Sequence, residues 1–218
     1  MDKVYKLKRL YQQIFQCREC QNIIPSKVQR QVLENTLNSE IVLMAQAPGV
    51  CGVRISGVHW NKEDGSLIGG GIFLNNQLAL IEYSVRQNNP VPRPYTTNVL
   101  QCWTGRDGDR SRDRPPAEKE LETCKKYWQE ELNIIQPKIL VVLGKKATES
   151  LSKVIEQNWI FADMLNCKVE NIPIGEIKVT VFFLPHPSAP YKERNAPYRT
   201  KSELYRDIFI KIKQKLKH

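Results

Sequence analysis

An α/β fold is predicted by three features of the sequence. Short apolar runs alternate with segments whose apolar residues recur at helical spacing, the pattern of parallel strands joined by crossover helices. The runs are continuous rather than alternating, as in strands buried on both faces of a sheet. Three of the four runs end in residues with distinctive chemistry, and in such sheets the ligand crevice lies beyond the carboxyl ends of the strands.

In chain order, Val4, Leu7, Leu10, Tyr11 and Ile14 recur at helical spacing and predict an amphipathic helix over residues 3–16. It runs into Cys17-Arg18-Glu19-Cys20 and then a loop containing Pro25 and Ser26. Residues 27–38 fit a short helix or an irregular connection equally well. The first strand is expected over 40–46, stopping at Ala47-Pro48-Gly49. A Gly-rich irregular stretch over 50–71 and a helix over 72–88 follow.

The second strand is expected over 95–100, with Pro90, Pro92 and Pro94 keeping its approach extended. Residues 105–116 form a polar loop carrying Arg106, Arg110, Arg112 and Arg114. A long helix over 117–135 carries Cys124 and stops at Pro137. The clearest buried strand is 138–144, followed by a helix over about 145–157. A fourth strand over 177–184 ends at Pro185-His186-Pro187-Ser188, and a basic amphipathic helix covers about 201–217. No internal repeat is visible.

At 218 residues and 41% hydrophobic, the chain can bury one good core, so a single domain over 1–218 is expected. Thirty-three Lys and Arg against twenty-three Asp and Glu give a net charge of +10, which favours a polyanionic partner: nucleic acid or a membrane surface. A membrane-surface role suits the last helix but accounts for none of the strand-end residues. No apolar run approaches the roughly 20 residues that span a bilayer. The first residues lack the apolar stretch of a secretory signal. The six cysteines are therefore expected in a reducing, cytoplasmic setting with the genome, where spaced thiols bind metal more often than they pair.

Cys17 and Cys20, two residues apart, can present both sulfurs to one ion or cluster, and Cys102 and Cys124 could close the shell. Spacing alone does not separate zinc from an iron–sulfur cluster. Cys51 is an alternative ligand, and Cys167 reads as an ordinary buried thiol.

With these residues in place, the chain resembles the iron–sulfur uracil-DNA glycosylases, families 4 and 5 of their superfamily. The resemblance runs through Cys17 and Cys20, Ala45-Gln46-Ala47-Pro48-Gly49, Thr97-Asn98-Val99-Leu100-Gln101-Cys102, Cys124, residues 137–144 and His186-Pro187-Ser188. It implies a three-layer αβα sandwich with a central four-stranded parallel sheet. It also implies a structural 4Fe-4S cluster on Cys17, Cys20, Cys102 and Cys124, and a monomeric DNA repair enzyme that hydrolyses the N-glycosidic bond of uracil in DNA. Three departures stand out. Family 4 has Glu where this chain has Gln46, the interval from Cys102 to Cys124 is longer than in the family, and the family's Gly-Arg-Pro-Phe stretch does not align cleanly, Ser56-Gly57-Val58-His59-Trp60 fitting it best.

By this resemblance Asn98 reads the Watson–Crick edge of uracil, because an amide can donate to a carbonyl and accept from an N–H. His186 donates to O2 of the departing base, where charge develops. Ala47, Gly49 and Trp60 complete the base pocket, with Leu67 or Ile68 as alternatives to Trp60. Phe73 is assigned to helix core and His59 to a loop. Gln46 cannot act as a base but can orient water, and Glu63 and Asp64 are substitutes for the missing carboxylate. Pro187, Ser188, Lys192 and Arg194 are expected to meet DNA, with the four loop arginines as a second backbone contact. Two other readings stand beside excision of uracil: a glycosylase for another deaminated base such as hypoxanthine or xanthine, and a non-catalytic DNA-binding member of the fold.

Overall fold

The computed structural model describes residues 2–20, 23, 30–49, 52–106, 113–165, 167–191 and 200–217. Its centre is a five-stranded sheet of β1 (Ile41–Ala45), β2 (Tyr95–Asn98), β3 (Ile139–Leu143), β4 (Lys168–Ile174) and β5 (Ile177–Leu184), in the order β2-β1-β3-β5-β4. The β1–β2, β1–β3 and β3–β5 pairs are parallel. The four strands expected from the sequence are these parallel ones. The expected count of four is corrected by β4, an edge strand antiparallel to β5. A tight turn at Gly175 and Glu176 joins the two. Glu170, Asn171 and Pro173 give β4 no continuous apolar run, because only one of its faces is covered.

Every residue of β1 and β3 is buried, and alternate residues serve opposite faces. Val42, Met44, Leu140, Val142, Val181 and Phe183 pack with α1 (Lys3–Gln16), α4 (Glu118–Ile135) and α5 (Lys145–Val154). Ile41, Leu43, Ile139, Val141, Phe182 and Leu184 pack with α3 (Gly69–Leu78) and α7 (Lys201–Leu216). Helices thus cover both faces of the sheet, as the three-layer expectation requires. Short helical turns, α2 (Val53–Ser56) and α6 (Phe161–Met164), lie in the connections.

The helix ends have local causes. Asp2 accepts from Val4 N at the start of α1, and Thr200 and Glu203 cap α7 reciprocally. Gln136, in a left-handed conformation before Pro137, stops α4. The helix expected over 72–88 starts earlier and ends at Leu78, with one further 3₁₀ turn to Ile81. Asn75 Oδ1 accepts from Ser84 Oγ (2.7 Å) and Val85 N (3.2 Å), which turns the chain back toward β2. Cys167 is exposed, not buried as expected.

Candidate active site and cysteine cavity

The carboxyl ends of all four parallel strands open on one cleft of about 630 Å³. Ala45, Gln46, Ala47 and Gly49 come from the end of β1, and Asn98 from the end of β2. Leu143 and Gly144 come from β3, and His186, Ser188 and Ala189 follow β5. The register places Ala45 opposite Asn98 and Leu143 opposite Leu184, so strand pairing itself brings these groups level. Two bonds prolong the β1–β2 pairing past Asn98: Val99 N donates to Ala45 O (2.9 Å) and Leu100 N to Gln46 O (2.8 Å).

Gly144 permits the close approach of β3 to the His186 turn. It has φ +96°, and a Cβ there would sit 2.9 Å from His186 Cβ. Lys201, in the first turn of α7, donates to Pro187 O (2.7 Å) and Ala189 O (2.9 Å) and so clamps that turn from behind. Ser188 N donates to His186 Nδ1 (3.2 Å). The neutral ring therefore carries its proton on Nε2. Burial first, then the Lys201 ammonium, lowers the His186 pKa to about 4.

Asn98 is 1% exposed. Its Nδ2 lies 2.8 Å from His59 Nε2, and its Oδ1 is buried without a hydrogen-bond partner among the described residues. Trp60, in a left-handed conformation with φ 69°, packs its ring 5.5 Å from that of His186. Gly71 of α3 fits beneath it, since a Cβ there would meet Trp60 O at 2.8 Å. Of the alternatives to Trp60, Ile68 also lines the cleft, whereas Leu67 belongs to the core. Phe73 packs edge-on against Tyr205, as expected of helix core. Gln46 Nε2 makes a long bond to Ser150 Oγ (3.4 Å).

Four ionisable residues of the cleft were not anticipated. His59, expected as a loop residue, is buried beside Asn98. Asp113 is the one carboxylate among the described residues of the cleft wall, and its Oδ1 accepts from Trp103 Nε1 (2.8 Å). Lys145 and Lys146 stand at the mouth, in the first turn of α5. Neither Glu63 nor Asp64 lines the cleft, and Asp64 instead accepts from Ser66 N (2.8 Å). Pro187 is buried and off the cleft wall. Arg114 is turned onto Glu120, through bonds of 2.6 and 2.9 Å, rather than outward as a backbone contact. Lys192, Arg194, Arg110, Arg112 and Cys51 lie outside the described residues.

A second cavity, of about 240 Å³, is lined by Cys17, Cys20, Cys102 and Cys124 together with Ile14, Ile23 and Tyr127. Cys17 follows the last turn of α1, Cys102 follows β2, and Cys124 projects from α4. Burial pushes the Cys124 thiol up to about 12, so taking up a metal there would release a proton. Among the described residues, no three His, Cys, Asp or Glu side chains converge tightly enough to hold a single ion. Arg18 and Gln101 also line this cavity, and four cysteine thiols around one space are soft ligands of the kind that hold zinc or an iron–sulfur cluster.

Among the described residues, no helix is long and apolar enough to cross a membrane. The chain is 24% identical over 195 residues to the Type-4 uracil-DNA glycosylase of Sulfurisphaera tokodaii, covering 87% of this chain and 76% of that protein. It is 26% identical over 183 residues to the Type-4 uracil-DNA glycosylase of Archaeoglobus fulgidus, covering 84% and 82%. The family model described as the Uracil DNA glycosylase superfamily matches residues 33–210, most of the chain and every strand of the sheet, and the chain belongs to that superfamily.

Proposed function

We propose that this protein removes uracil from DNA by hydrolysing the bond between the base and C1′ of the sugar. The observation that carries this reading is the pairing, in one cleft at the strand ends, of a buried amide with an unpartnered oxygen and a neutral imidazole. A base edge that offers an N–H beside a carbonyl complements Asn98. The Nε2–H of His186 is free of the Ser188 bond and supports donation to O2 of the base. As the bond to C1′ breaks, its electron pair goes to the base. A preorganised N–H donor stabilises that charge where it develops.

The rest of the cleft has work that fits this chemistry. A target base must leave the stack and be held, and Trp60 and Ile68 supply apolar walls for it. The water that attacks C1′ must lose a proton. Gln46 can orient that water but not accept its proton, and Asp113 is the carboxylate of the cleft that can. Ser188, Lys145, Lys146 and the amino end of α5 offer phosphate contacts. The four-cysteine cavity fits a 4Fe-4S cluster held by Cys17, Cys20, Cys102 and Cys124. When bound, that cluster supplies a cross-link between α1, the segment after β2 and α4, and takes no part in breaking the bond.

The test is alkali-induced scission of single- and double-stranded oligonucleotides carrying uracil, hypoxanthine or xanthine. Protein purified without oxygen is used, and its visible spectrum recorded. Scission at uracil is expected, with Asp113→Asn slower by about a hundredfold and Gln46→Ala slowed less. Hypoxanthine presents the same N–H and carbonyl pattern, so preferential cutting there would reassign the substrate. A protein that binds DNA and cuts no base would be a binding member of the fold. An unaltered rate in Asp113→Asn would remove that carboxylate from the reaction.

A further inference from the structure

We propose that His59 sets the base selectivity of the cleft by fixing which way the Asn98 amide faces. The inference deepens the excision reading above and rests on its assignment of Asn98 to the base edge.

An amide can occupy one buried position in two orientations related by a half-turn. The two present opposite hydrogen-bonding patterns. Among the described residues, the Asn98 amide has one side-chain partner, His59 Nε2, 2.8 Å from Nδ2, and the proton position on that ring distinguishes the two orientations. Nδ2 can only donate, and the tautomer that accepts from it is the neutral ring with its lone pair on Nε2 and its proton on Nδ1. The surroundings keep it so. Burial, with the Arg30 and Arg93 guanidiniums nearby, holds the His59 pKa well below its ordinary value. The backbone is pinned as well: His59 O accepts from Asn61 Nδ2 (2.7 Å) and from Arg93 Nη2 (3.0 Å), and Arg93 is itself fully buried.

With Nδ2 held by His59, Asn98 Oδ1 has no hydrogen-bond partner among the described residues although it is buried. An unsatisfied buried oxygen costs about 1–3 kcal/mol, and a ligand N–H would recover that loss. The remaining Nδ2–H and Oδ1 then form a donor–acceptor pair suited to O4 and N3–H of uracil. Turned over, the amide would present its NH₂ to a ring nitrogen bearing a lone pair, the pattern of cytosine. With its proton on Nδ1, His59 disfavours that orientation, since it would set Oδ1 against the Nε2 lone pair; with its proton on Nε2 it would favour it. His59 is thus a positioning residue: it acts on the base through Asn98.

Two measurements on the full chain test this. The first is a long-range proton–nitrogen spectrum of the His59 ring in the ¹⁵N-labelled protein. A bare, hydrogen-bonded Nε2 and a protonated Nδ1 are expected, and a protonated Nε2 overturns the proposal whatever the enzyme cuts. The second is the ratio of affinities for duplexes carrying a non-cleavable 2′-fluoro-arabino uridine or the matching cytidine, so that no turnover is needed. His59→Leu is expected to lower the uridine preference about ten- to hundredfold. His59→Gln, whose Oε1 can accept the same bond, restores most of it. An unchanged ratio in His59→Leu, or a wild type that shows no preference, overturns the proposal. A wild type that prefers uridine but excises nothing defeats the excision reading while upholding the role of His59.

Discussion

The bond from Ser188 N to His186 Nδ1 determines what His186 can do. It consumes the lone pair on Nδ1 and leaves Nε2 as a donor, and burial beside Lys201 keeps the ring neutral down to about pH 4. In the unfolded chain the same ring takes up a proton around the ordinary histidine value of 6.5. The contribution of neutral His186 to stability is therefore complete above that value, and it is lost as pH falls from 6.5 toward 4, where the unfolded state binds the extra proton. The rate has a separate signature. The single-turnover excision rate should pass through pH 6.5 without an inflection and fall only as pH approaches 4. An inflection near 6.5 would show that the ring titrates like an exposed histidine and enters the reaction charged. Both His186 and Asn98 were legible as candidates because a parallel sheet puts ligands at strand ends, and both follow clear strands. His59 was not legible. It lies in a Gly-rich stretch with no periodic pattern, and its burial is created by Asn98 and Arg93, which are distant in sequence.

At the scale of elements, the segment joining β2 to the cysteine cavity is held by a buried ion pair. Arg30 pairs with Glu131 of α4, which also accepts from Thr97 Oγ1. Gln101 Nε2 donates to Asn98 O (2.9 Å), and Arg30 Nη2 to Thr96 O (2.7 Å). Arg30 lies over the Tyr11 ring at 4.5 Å, and the Tyr11 and Tyr95 hydroxyls share a bond of 2.6 Å. Helix α4 thus grips the backbone on both sides of Asn98. Glu131 is fully buried, so its removal strands the Arg30 charge, which typically costs about 3–5 kcal/mol. Glu131→Leu should lower the unfolding free energy measured in urea by that order, and adding Arg30→Met should recover most of the loss. If the double variant is no better than the single, the pair is not the source of the stability. None of this network could be read from residues 27–38, which fit a short helix or an irregular connection equally well. The same limit hid β4, whose single covered face leaves charged and polar residues along the strand.

For the molecule as a whole, the informative feature is that one hexapeptide serves both sites. Asn98 ends β2 inside the cleft, and Cys102, four residues on, lines the cysteine cavity. The three segments meeting at that cavity come from opposite ends of the folded chain's first 124 residues, and α1 and α4 pack on each other beside it. A cluster there would hold α1 and α4 against the backbone that carries Asn98, so its loss should appear in stability before chemistry. Cys124→Ser should therefore bleach the protein's visible absorbance, lower its iron content and reduce Tm by several degrees, on the scale of about 2–4 °C per kcal/mol for a chain of this size. At a temperature where the variant is still folded, cleft mutations at Asn98 should keep their effect on base preference, because the cleft's own bonds do not pass through the thiols. Full iron content in Cys124→Ser would remove Cys124 from the ligand set and make Cys51 the next residue to test. Loss of iron with no change in Tm would show that the cluster, though held by Cys124, lacks the cross-linking role that its position between three segments implies.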